Sequence, residues 1–200
     1  MTARTRRRSV APDDLRAFCT AAYPRIAGSL SLYTGDPGLA EELAQETFVR
    51  VCRDWSTVQS HPNPLAWTHT VAFNLAKSKF RRRKAQKRAV DRTGNNIRAS
   101  MANAAAMPDD ADVLAVREAV EALPKDQRAV VALRFYAGLT IDETAGALSI
   151  PAGTVKSRTT RAVETLRSSG LAVEVETMST PTNPPRAAAL VQPLTMEVLT

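Results

Sequence analysis

Cysteine is scarce in this chain of 200 residues: Cys19 and Cys52 are the whole complement. They lie far apart and lack Cys-x-x-Cys spacing, which argues against a disulfide framework or a zinc site and fits a reducing compartment. Histidine is as rare, and His61 and His69 are too isolated to make a metal or catalytic cluster. Long apolar runs are missing too. Nothing approaches the roughly 20 apolar residues of a membrane span, so no membrane insertion is expected. Arg4, Arg6, Arg7 and Arg8 are followed by Asp13, Asp14 and Arg16 where a signal peptide needs an apolar core. The expected location is the cytoplasm. There is no Gly-rich phosphate loop, no metal-ligand set and no nucleophile with a paired base, so neither an enzyme nor a cofactor is expected. Alternating strand patterns are also absent. Periodicity is helical nearly throughout, which gives an all-α fold class.

Positive charge is what the chain has in excess. Lys and Arg number 27 against 20 Asp and Glu, a formal charge of +7, which favours a polyanionic partner. The most informative stretch runs from Leu139 to Arg158. Thr140 can cap a helix, and Glu143 three positions on completes a capping box. Ile141, Ala145 and Leu148 then form an apolar face, and Ile150-Pro151 breaks the helix. A second helix from about Pro151 to Arg167 turns Val155, Thr159, Ala162 and Leu166 to one side. Ser157, Thr160, Arg161 and Glu164 fall on the other, with Lys156 and Arg158 on the flanks. Cap, turn and basic outer face together predict a helix-turn-helix, a unit that places its second helix in the DNA major groove.

Composition divides the rest. Residues 1–12 form a basic arm, and 13–90 read as one helical domain. Its helices cover Asp13 to about Thr34, Leu39 to about Trp55, and a long segment from Leu65, with a loop from Ser56 to Pro64. The long helix carries Trp67, Val71, Phe73, Leu75 and Phe80 and ends in the cations Lys77, Lys79, Arg81, Arg82, Arg83, Lys84, Lys87 and Arg88. Aromatics beside cations suit single-stranded nucleic acid, whose bases stack while its phosphates pair. Residues 91–109 lose apolar periodicity and read as a flexible linker. A second helical domain spans 110–169, with one helix ending at Leu123 and another opening at Pro124 and stopping at Gly138. Residues 170–200, rich in proline, read as a disordered tail.

Four ordered segments resemble a family. Ala40 to Arg50 is similar to region 2 of the extracytoplasmic-function sigma factors of bacterial RNA polymerase, with its Gln45-Glu46-Thr47-Phe48 core. Pro64-Leu65-Ala66-Trp67 with Ala72 to Lys77 resembles the promoter-melting helix. Leu123-Pro124 with Arg128, and Gly153 to Arg158, resemble region 4. The resemblance implies two small helical domains, sigma region 2 and a helix-turn-helix region 4, joined by the linker. It implies docking of Glu41, Glu42, Gln45 and Glu46 on the polymerase β′ clamp helices, with the β flap as a further contact. The Val58-Gln59-Ser60-His61 loop through Asn63 would hold a base flipped from the −10 element. Trp67 and Asn74 would sit at its upstream edge, with Lys77, Arg81 and Arg82 near the phosphates. Trp67 also fits a core position, and the two roles are compatible. Lys156, Ser157, Thr160 and Arg161 would face the −35 element, with Arg158 closer to the backbone. Promoter DNA and the polymerase core are thus the implied partners, and the family often adds an anti-sigma factor. Thr159 departs from the pattern, standing where a larger apolar residue is usual. The rival reading is a stand-alone helix-turn-helix regulator, which accounts for the second domain but not for the loop, aromatic helix and basic run of the first.

Overall fold

The computed structural model describes residues 13–92 and 111–169. The N-terminal arm, nearly all of the linker and the C-terminal tail lie outside the described residues. Helix α1 covers Asp13–Thr34 and stops at Gly35, whose φ of 69° suits a residue without a Cβ. Asp36 then caps α2 (Pro37–Arg53): its carboxylate accepts the Leu39 N–H at 3.0 Å, and proline holds the first helical position. The expected loop from Ser56 to Pro64 proves partly helical. A short α3, Trp55–Gln59, forms because the backbone continues turning after Asp54, with Val58 N–H bonded to the Asp54 carbonyl. Asn63 starts α4 (Pro64–Arg92) by accepting the Ala66 N–H at 3.1 Å, and α4 runs just past the expected start of the linker.

In the second half, α5 covers Ala111–Ala122 and α6 covers Lys125–Val131. The α6 helix continues through one π-helical turn, Ala132–Tyr136, and ends at Gly138 with φ of 70°. The capping box at Thr140 is present in full: Glu143 N–H donates to the Thr140 hydroxyl at 3.1 Å, and Thr140 N–H to the Glu143 carboxylate at 2.8 Å. It opens α7 (Ile141–Leu148), and Ser149 in the left-handed region closes it. Pro151 precedes α8 (Ala152–Ser168).

The two helical domains do not stand apart. Ile26, Leu30, Leu43, Val51 and Phe73 of the first share one continuous buried cluster with Val130, Leu133, Leu148 and Val155 of the second. A smaller cluster of Val120, Leu123, Val131, Ala162 and Leu166 lies within the second domain, with Leu32 of α1 packed against it. Fully burying a Leu, Ile or Phe contributes about 1.5–3 kcal/mol, so the shared cluster is a large part of the cohesion. Polar contacts register the halves. The Arg25 guanidinium donates to the Ala137 carbonyl at 2.9 Å. Gly28 lets Tyr136 lie against α1: a Cβ at that position would fall 1.9 Å from the Tyr136 hydroxyl oxygen. The Lys125 ammonium sits 3.7 Å from the Phe80 ring centre.

Candidate nucleic-acid interface

Helix α8 presents the cationic face expected of it. Lys156, Ser157, Thr160 and Arg161 are exposed, while Val155, Ala162, Val163 and Leu166 are buried. Val163 was not among the expected apolar positions, though it lies two turns from Val155 on the same side. Thr159 is half-buried, and its hydroxyl donates to the Val155 carbonyl at 2.8 Å, so the polar group is satisfied within its own helix. Ser157 and Thr160 likewise donate to the carbonyls of Thr154 and Lys156. Their oxygens remain able to accept. Arg158 differs from its neighbours: it is half-buried and paired with Asp126 at 2.7 Å, which ties α8 to α6.

The first domain divides the residues expected at a −10 element. Gln59, Ser60, His61, Asn74, Arg81 and Arg82 are exposed, and Trp67 is half-buried against the core. Val58 does not belong with them. It is fully buried beneath the loop, so its side chain supports the loop from within instead of facing a base. The other aromatics of α4 are similarly engaged. Phe73 is fully buried and stacks on Tyr33 at 4.9 Å, and Phe80 meets Tyr33 edge-on at 5.5 Å. The expected set of aromatics beside cations on α4 therefore reduces to Trp67 and the basic end.

Asn63 and Lys77 are covered by the second domain. The Asn63 amide donates to the Glu143 carboxylate at 2.5 Å. The Lys77 ammonium donates to the Leu148 carbonyl at 2.9 Å, with the Ala147 carbonyl at 3.5 Å. These are the last carbonyls of α7, the negative end of its dipole, where a cation is favoured. Burial, aided by Arg81, lowers the Lys77 pKa from the usual lysine value. Burial alone would raise Glu143; hydrogen bonds from Thr140 and Asn63 and the charge of Arg134 outweigh it and leave the carboxyl below its usual value. The capping carboxylate of α7 is thus also the acceptor that ties α7 to the first domain.

A second surface lies on α2. Glu41, Glu42, Gln45 and Glu46 are exposed along one side, joined by Val49, a large apolar side chain 68% exposed. Glu42 pairs with Lys79 at 2.6 Å and Glu46 with Arg50 at 2.8 Å. Exposed pairs of this kind are worth at most about 1 kcal/mol, so either carboxylate can exchange partners at low cost.

A helix-turn-helix with an open cationic face, joined to a second helical domain with a basic helix and an acidic stripe, defines a two-domain DNA-binding protein. Comparison with known proteins sharpens the class. The family "Sigma-70 region 2" matches residues 19–86 and "Sigma-70, region 4" matches residues 114–166. The chain is 32% identical to the ECF RNA polymerase sigma factor SigL of Mycobacterium tuberculosis, covering 76% of this chain and 88% of SigL. It is 31% identical to SigX of Bacillus subtilis, over 66% of this chain and 71% of SigX. With EcfG of Rhodopseudomonas palustris the identity is 28%, over 75% and 81%. The fold matches that of the sigma factor RpoE from Bartonella quintana, solved with the anti-sigma factor NepR. That match has a TM-score of 0.67 and 23% identity, covering 79% of this chain and 97% of RpoE. The chain belongs to the extracytoplasmic-function group of the sigma-70 family, and it is an RNA polymerase sigma factor.

Proposed function

We propose that this sigma factor divides promoter recognition between its two domains in the following way. Lys156, Ser157, Thr160 and Arg161 on α8 read base edges of a −35 element in the major groove, where Lys and Arg suit guanine. Gln59, Ser60, His61 and Asn63 hold a base extruded from the −10 element, with Trp67 and Asn74 beside it and Lys77, Arg81 and Arg82 on phosphates. Extrusion costs a few kcal/mol, which stacking and pocket hydrogen bonds offset. The α2 stripe of Glu41, Glu42, Gln45 and Glu46 docks on the polymerase core. The chain itself is not an enzyme, works in the cytoplasm and counts an anti-sigma factor among its partners. The domains are residues 13–90 and 110–169, flanked by the arm, linker and tail. The observation that carries this reading is the exposed quartet on α8 in one chain with the exposed acidic stripe on α2.

The packing adds a step. Asn63 and Lys77 meet DNA only after α7 leaves α4, since Glu143 and the α7 carbonyls occupy them here. Polymerase docking and promoter binding supply the energy that separates the domains. Run-off transcription with purified bacterial core polymerase on a pool of promoter fragments tests the whole. Initiation that depends on this protein is the expected result. Duplex binding without initiation would instead favour a stand-alone regulator.

A further inference from the structure

Cysteines that are remote in sequence meet in the fold. Helices α1 and α2 pack antiparallel, and their pairings set a register: Trp55 Nε1 donates to Asp14 at 3.3 Å, the Phe18 and Trp55 rings lie 5.3 Å apart, and those of Tyr23 and Phe48 5.4 Å. One helical turn separates Cys19 from Tyr23, and one separates Phe48 from Cys52. In an antiparallel pair these steps run toward each other, so the register places Cys19 opposite Cys52. Cys52 is near enough to act on Cys19, adding to the burial that raises its pKa. Both cysteines are free thiols, Cys19 half-buried and Cys52 exposed.

We propose that Cys19 and Cys52 are a reversible oxidation site, closed to an intramolecular disulfide by hydroperoxides. The exposed Cys52 is the thiol that meets the oxidant. Its thiolate attacks the peroxide O–O bond and becomes a sulfenic acid, and the displaced oxygen takes a proton and leaves as water or an alcohol. The Cys19 sulfur then attacks the Cys52 sulfur. Its proton goes to the departing hydroxyl, which leaves as a second molecule of water. Two thiols and one hydroperoxide thus yield one disulfide, one water and one water or alcohol. Burial, with Cys52 beside it, pushes the Cys19 pKa up to about 11, so Cys19 rests as a thiol and is spared direct oxidation. Its role is to trap the sulfenic acid before further oxidation makes it irreversible. The pair stands one turn beyond Val49 on α2, but its chemistry does not depend on what that helix docks against.

The test uses the full chain, treated with one equivalent of hydrogen peroxide, alkylated with a maleimide and mapped by mass spectrometry. Both thiols should vanish together in a monomeric product, with a cross-linked peptide containing Cys19 and Cys52, and dithiothreitol should restore both. With two or more equivalents of peroxide, Cys19→Ser should leave Cys52 advancing to sulfinic acid that dithiothreitol does not reverse. Sulfenic or sulfinic acid at Cys52 of the unaltered chain with Cys19 still alkylated would overturn the proposal, as would disulfide-linked dimers in place of the internal bond. The peptide map of the unaltered chain decides this even if the variant folds poorly.

Discussion

His69 shows what one residue carries here. It is fully buried on α4; its Nδ1 lies 2.9 Å from the Leu65 carbonyl, and its Nε2 has no hydrogen-bond partner among the described residues. Burial drives its pKa down from 6.5 to about 4, despite the Leu65 carbonyl, with nearby Arg25 lowering and Glu143 raising it. Between these two values the unfolded chain binds a proton that the folded one refuses. Stability from this group is therefore complete above the unfolded value and is lost as pH falls through the folded one, by about 3 kcal/mol in all. His69→Leu should flatten the acid limb of the stability curve, and urea titrations at neutral and acid pH will show whether the difference between the two proteins grows as pH falls. Arg161 carries a different kind of weight. Its guanidinium is exposed on the outer face of α8, so Arg161→Ala should leave stability nearly unchanged. Discrimination between matched and mismatched −35 duplexes should fall by about 1–3 kcal/mol. Equal weakening on every sequence, read by fluorescence anisotropy, would mean the residue touches only phosphates.

At the scale of elements, local chemistry determines where helices begin and end. Thr140 with Glu143, Asp36 before Pro37, and Gly138 after the π turn each answer an orphan set of backbone groups. Ser149 does so at a cost, since it holds φ of 56° and ψ of 48°, a left-handed conformation that glycine adopts without strain. Ser149→Gly should raise stability by about 0.5–1 kcal/mol, checked by the melting temperature, while −35 binding stays unchanged. These signals are short-range, which is why the capping box and both helices of the helix-turn-helix were legible in the residues. The α3 turn was not. Ser56 to Gln59 has no cap or apolar periodicity of its own, and only Val58 inserting into the core shows that this segment is held from below. The family resemblance carried Val58 over as a base contact with the rest of its loop, since an apolar residue in a polar loop carries no label saying which way it faces.

Across the whole molecule, the domains are held by a shared core and a few polar ties, and Gly28 lies where Tyr136 comes against α1. Gly28→Ala makes α1 a better helix by about 1 kcal/mol while driving a methyl group into Tyr136. The expected result is an intact but more open protein: a larger radius of gyration by small-angle scattering, with helical content preserved. Binding to a pre-melted −10 template should tighten, because Asn63 and Lys77 would be released from Glu143 and the α7 carbonyls. An unchanged radius would show that Tyr136 rotates aside without loosening the contact.

The all-α class, the helix-turn-helix, the cationic face of α8 and the acidic stripe of α2 could all be read from the residues alone. Each rests on periodicity, caps and charge within a few turns of chain. Packing between distant helices settled that the halves share a core, that Arg158 is held by Asp126, that Asn63 and Lys77 are covered, and that Cys19 lies opposite Cys52. Those outcomes depend on which helix faces pack together and in what register. That is set by the fit of whole surfaces, which no window of neighbouring residues contains.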